Sequence, residues 1–115
     1  MPEGHTIHRA ARDHHQIFAN QVLKISSPQG RFVDGANIIN ENLCINVEAF
    51  GKHLLYHFNN NKTLHIHLGL FGRIRKHKLP LREPKGSVRA RLIGQTHVVD
   101  INGPTICRVL ETPEA

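Results

Sequence analysis

Gly51-Lys52-His53-Leu54-Leu55-Tyr56-His57-Phe58-Asn59-Asn60-Asn61-Lys62-Thr63-Leu64-His65-Ile66-His67-Leu68-Gly69-Leu70-Phe71-Gly72 reads as strand, turn and strand. Leu64, Ile66 and Leu68 alternate with His65 and His67, the period of two that a half-buried strand requires. Residues 53–58 form a partner run, and the three asparagines between supply a turn, because asparagine tolerates left-handed backbone. The same period marks Leu43, Ile45 and Val47, and further strands are expected at 21–27, 71–76, 88–93, 96–101 and 106–110. Gly94-Gln95, with its leading glycine, suits a type II′ hairpin between two of them.

One segment has a different period. From residue 3 to about 19, Ile7, Ala10, Ala11, Ile17 and Phe18 fall at helical spacing, with Arg9, Arg12, Asp13 and Gln16 opposite, which predicts an amphipathic helix. One helix followed by many short antiparallel strands predicts a mainly β fold: a two-layer antiparallel β-sandwich with the N-terminal α-helix packed outside it. At 115 residues the chain has room for one domain and one modest core. Lys78 to Gly86, with Pro80 and Pro84 among basic residues, reads as an exposed loop.

Fifteen Lys and Arg against nine Asp and Glu give a net charge of +6, which favours a polyanionic partner. Arg73, Arg75, Lys76, Lys78, Arg82, Lys85, Arg89 and Arg91 are opposed in their stretch only by Glu83; a merely solvated loop is the plain alternative. The sequence contains no long apolar run and no apolar signal-peptide core, so a cytoplasmic protein without a membrane partner is expected. Cys44 and Cys107 stand far apart without a CxxC pair, the pattern of two buried thiols rather than a disulfide or a zinc site.

Several residues invite chemistry. Met1-Pro2-Glu3 yields, once Met1 is removed, a secondary amine beside a carboxylate. An α-amino group titrates roughly two units below lysine, so its free-base fraction near neutrality is about a hundredfold larger, and only the free base attacks a carbonyl-like carbon. While Met1 remains, the Pro2 nitrogen is an inert amide. Proline and an acidic residue are also ordinary helix-start chemistry. Lys52 follows a glycine that permits a turn or bulge, where it can hold a phosphate, assist proton transfer or simply be solvated. His65 and His67 share a strand face and can meet a phosphate, a metal or water. In Gly69-Leu70-Phe71-Gly72, two glycines bracket two large apolar side chains, the composition of a wedge between bases or of core at the start of the next strand. His5, His8, His14 and His15 lie on the helix, where exposure or helix packing is the default.

Pro2-Glu3-Gly4 opening a helix, Gly51-Lys52-His53-Leu54-Leu55, and His67-Leu68-Gly69-Leu70-Phe71-Gly72, in this order, resemble the formamidopyrimidine-DNA glycosylase and endonuclease VIII family. Met1 to Arg9, together with Ser27-Pro28-Gln29-Gly30-Arg31-Phe32, is similar to endonuclease VIII of the actinobacterial type, and the resemblance runs along essentially all 115 residues. It implies base excision with abasic-site lyase activity on oxidised pyrimidines, ending in β and δ elimination. Pro2 would attack C1′, Glu3 would act on the sugar ring oxygen and shuttle protons, and Lys52 would support those transfers. His67 would approach a phosphate, Leu70 and Phe71 would fill the gap left by the extruded base, and Arg73 and Arg75 would add to the DNA grip.

The resemblance also implies a monomer whose partner is double-stranded DNA carrying oxidised bases or abasic sites, associated with the bacterial nucleoid. Family members continue into a helix-two-turn-helix module and usually a zinc finger; residues 1–115 are therefore expected to be the N-terminal catalytic domain, weakened alone, with no metal or other cofactor. Gly69 stands where endonuclease VIII relatives often carry a polar wedge residue. A non-catalytic basic DNA-binding fragment is the alternative, and a cupin-like metal enzyme built on His53, His65 and His67 a distant one.

Overall fold

The computed structural model describes residues 4–112. Helix α1 (Gly4–Phe18) is followed by β1 (Gln21–Ser26), a short helix α2 (Val33–Ile39), and then β2 (Asn42–Phe50), β3 (His53–Phe58), β4 (Lys62–His67), β5 (Arg73–Lys78), β6 (Val88–Ile93), β7 (His97–Asn102) and β8 (Ile106–Glu111). The eight expected strands are all present and all pair antiparallel.

Hydrogen bonding runs β5-β7-β6-β1-β2-β3-β4-β8. The sandwich arises because β1 changes partner halfway: Gln21 to Leu23 pair with β2, and Lys24 to Ser26 with β6. Alternate residues of both layers then face one core, with Leu54, Tyr56, Leu64 and Ile66 in one layer and Ala90, Leu92, Val99 and Ile101 in the other.

Helix α1 covers this core with Ile7, Ala11, His14 and Phe18, spaced four, three and four residues apart. Two histidines tie it down. The Tyr56 hydroxyl and His14 Nδ1 lie 2.7 Å apart in the interior, and Val47 N–H donates to His15 Nδ1 at 3.2 Å. Burial lowers the His14 pKa to about 4 from 6.5, the Lys76 cation adds to this, and Asp13 opposes it. A ring kept neutral in the fold stabilises fully above about pH 6.5, and that contribution is lost as pH falls toward and through about 4. The loss is expected to reach about 3 kcal/mol. Urea midpoints at pH 7 and pH 4.5 should therefore differ more for the parent than for His14→Gln; equal differences would remove His14 as the acid-labile group.

Two local expectations change. Gly94 lacks the positive φ of a type II′ turn, and Gly94 N–H instead bonds His97 O at 2.9 Å around a loop that includes Gln95 and Thr96. The glycine serves packing, since a Cβ there would lie 2.8 Å from Phe18 Cδ1. Cys44 is buried and Cys107 half-buried; both are free thiols pushed up to about 12, chiefly by burial.

Candidate nucleic-acid interface

The ends of β2, β3, β4 and β8 align, so that Phe50, His53, His67 and Ile106 form a row across one rim of the sheet. Gly51 at φ +60 turns the chain from β2 into β3 and leaves Lys52 exposed at the tip. His67 Nδ1 lies 3.4 Å from Lys52 O, which requires the hydrogen on Nδ1 and joins the two turns.

Leu68 is buried, and the chain then rises in a turn closed by Gly72 N–H donating to Leu68 O at 3.1 Å. Gly69 adopts φ +69, and a Cβ there would sit 1.9 Å from Thr105 Oγ1. A polar wedge residue therefore does not fit at position 69 while Thr105 keeps its place. Between the two glycines, Leu70 and Phe71 stand 59% and 81% exposed, and β5 begins only at Arg73. They are a projecting apolar tip, not the core of the next strand.

Arg73 and Arg75 lie exposed on β5, an edge strand. Other members of the basic run are engaged: Lys76 Nζ is 3.9 Å from Asp13, Arg89 Nε donates to Gln29 Oε1 at 2.9 Å, and Arg91 is buried against Asp100. Thr6, Ile7 and Arg9 of α1 border Leu68, Gly72 and Arg73 across an open cleft of about 330 Å³. The helix thus begins beside the apolar tip. Pro2 and Glu3 lie outside the described residues.

His65, expected with His67 on a strand face open to a phosphate, a metal or water, is instead nearly covered. Arg108 Nε–H donates to His65 Nδ1 at 3.0 Å, and His65 Nε2 is 2.8 Å from His53 Nδ1. Burial lowers the His65 pKa, helped by Arg108, His53 and His67. The ring nitrogens of His53 and His65 bond each other rather than converge, and among the described residues no His, Cys, Asp and Glu group could hold a metal. This removes the geometric basis of the cupin-like reading. Arg108 was not singled out from sequence, because its partner lies 43 residues away. Phe50, 75% exposed in the rim row, was also missed, although β2 alternation points it outward.

The profile described as Formamidopyrimidine-DNA glycosylase N-terminal domain matches residues 1–104. The chain belongs to this family. Endonuclease 8 1 of Mycobacterium bovis and of Mycobacterium tuberculosis are each 42% identical to this family domain over 118 aligned residues, covering 99% of the chain and 44% of the relative. The chain thus spans less than half the length of these curated relatives. In fold, the domain is similar to formamidopyrimidine-DNA glycosylase of Lactococcus lactis non-covalently bound to DNA containing an AP site, at TM-score 0.79 and 15% identity, covering 96% of this chain and 46% of that one. A second Lactococcus lactis complex, with DNA containing an abasic site, gives TM-score 0.80 with 96% and 45% covered. The mainly antiparallel sheet with its N-terminal helix is therefore the fold of this family's N-terminal domain.

Proposed function

We propose that this family domain carries the chemistry of a base-excision DNA glycosylase acting on oxidised pyrimidines, with Pro2 as the amine that opens the abasic strand. One observation carries the reading: Lys52, His67 and the Leu70-Phe71 tip share one rim with the start of α1, immediately after Pro2 and Glu3. Such a rim offers hydrogen-bond donors to a phosphate backbone and an apolar pair to the space left by a flipped nucleotide.

In the proposed sequence, the Pro2 nitrogen bonds C1′ as the glycosidic bond breaks and the base leaves with a proton. The C1′–O4′ bond then opens, O4′ taking a proton from Glu3, and the resulting iminium acidifies C2′–H. Loss of that proton expels the 3′ phosphate, and a second elimination expels the 5′ phosphate. Glu3 handles protons without competing as the nucleophile, and Lys52 supports these transfers while holding backbone. No cofactor enters any of these steps. Duplex DNA with oxidised bases or abasic sites is the proposed partner.

Borohydride should trap Met1-processed protein covalently on an abasic-site duplex. Salt-dependent binding without any adduct would instead establish the non-catalytic DNA-binding reading. Arg73→Ala and Arg75→Ala are each expected to reduce the slope of log affinity against log salt by about 1. An unchanged slope would take β5 out of the DNA contact.

A further inference from the structure

Behind the rim lies a chain of hydrogen bonds whose donor order is forced. A guanidinium Nε always carries hydrogen, so the Arg108 contact at 3.0 Å keeps His65 Nδ1 bare and puts the single ring hydrogen of His65 on Nε2. That hydrogen is donated to His53 Nδ1 at 2.8 Å, so Nδ1 of His53 is bare as well and its hydrogen sits on Nε2. Hydrogen on Nδ1 of either ring would set two N–H groups against each other. The His53 ring also packs tilted against His67, with ring centroids 4.8 Å apart and planes inclined by 33°.

The surroundings leave this order undisturbed. Glu48, on the neighbouring row from β2, is engaged by His57 Nε2 at 3.1 Å. Lys52 from the β2–β3 turn and Arg108 from β8 are cations that donate only. His53 Nε2 has no hydrogen-bond partner among the described residues, and its residue is the register partner of His67.

Resting on the reading of this rim as a DNA contact, we propose that Arg108 and His65 are positioning residues: they fix His53 in its Nε2–H tautomer as a further donor to a backbone phosphate beside His67. The arrangement adds a donor without adding a charge, so it sharpens placement of the strand rather than its salt-dependent attraction.

Long-range proton–nitrogen NMR on the full chain reads the ring tautomers directly. His53 and His65 are both expected as Nε2–H in the parent, and as tautomer mixtures in Arg108→Met, which keeps an aliphatic stem but removes the donor. Arg108 is exposed, so this exchange leaves the core intact. His53→Phe retains a ring against His67 and removes the donor. It is expected to weaken binding to a duplex carrying a tetrahydrofuran abasic analogue about fivefold with an unchanged salt slope, and to lower the urea midpoint because His65 Nε2–H loses its acceptor. An Nδ1–H signal for His53 in the parent, or unchanged tautomers in Arg108→Met, overturns the positioning chain. Parent-like affinity of His53→Phe overturns the phosphate assignment alone, whereas no duplex binding by the parent overturns that assignment together with the DNA reading.

Discussion

Pro2→Gly is expected to lower the fraction trapped by borohydride on an abasic duplex by on the order of a hundredfold, while duplex affinity stays within about twofold. Glycine still offers an α-amine, so some trapping should persist. What it lacks is the ring that makes the nitrogen a secondary amine and restricts rotation about its N–Cα bond. A misplacement of about 1 Å at a reacting atom is enough for a loss of this size. Glu3→Gln separates the roles: it should still trap on a ready-made abasic site but lose excision of the damaged base, because the amine survives and the proton shuttle does not. Equal trapping by Pro2→Gly and parent, with loss in Lys52→Ala, would move the nucleophile to Lys52.

Asp100→Ala is expected to destabilise the fold by about 3–5 kcal/mol. Asp100 Oδ1 accepts from Arg91 Nε at 2.8 Å and Oδ2 from Nη2 at 3.3 Å, and both side chains are 6% exposed. Removing the carboxylate strands a guanidinium in the interior, where its lost hydration is no longer offset. Arg91 Nη2 also donates to Arg82 O, so the same ion pair tethers the loop after β5. The double variant Arg91→Met/Asp100→Leu should recover most of the stability, as buried pairs exchanged for apolar residues often do, yet leave that loop untied. Urea unfolding of the three proteins checks the scheme. A single variant within about 1 kcal/mol of the parent would show that water reaches Arg91.

Strand β4 was legible because Leu64, Ile66 and Leu68 keep a local period of two, and α1 because its apolar residues keep a period near 3.6. The alternation of Leu43, Ile45 and Val47 in β2 is instead broken by a register shift that buries Cys44 and exposes Ile45. For His14 the sequence left exposure and helix packing both open, since a histidine in an apolar stripe does not score as apolar; the contact with Tyr56, 42 residues away, makes its burial tolerable. Helix α2 was missed. Val33–Ile39 is under two turns long and contains Gly35, which reads as a breaker. The fold shows why that glycine is there: a Cβ would sit 2.3 Å from Phe32 Cε1, and Phe32 fills the core beneath the helix. At the rim, Lys52, His67 and Leu70-Phe71 were legible through local motifs. The Arg108–His65–His53 chain was not, because strand register across β3, β4 and β8 creates it.

The shared strand β1 has a mechanical consequence. Its first half is bonded into one layer and its second half into the other, so the layers are joined through covalent backbone as well as through the core. Peeling them apart requires stripping one ladder from β1. Amide hydrogens of Leu23 and Ile25, both buried, should accordingly exchange only when the whole domain opens. A pull exerted on the rim would then be borne along the chain itself, and the platform beneath Lys52 and the apolar tip would resist as one rigid body.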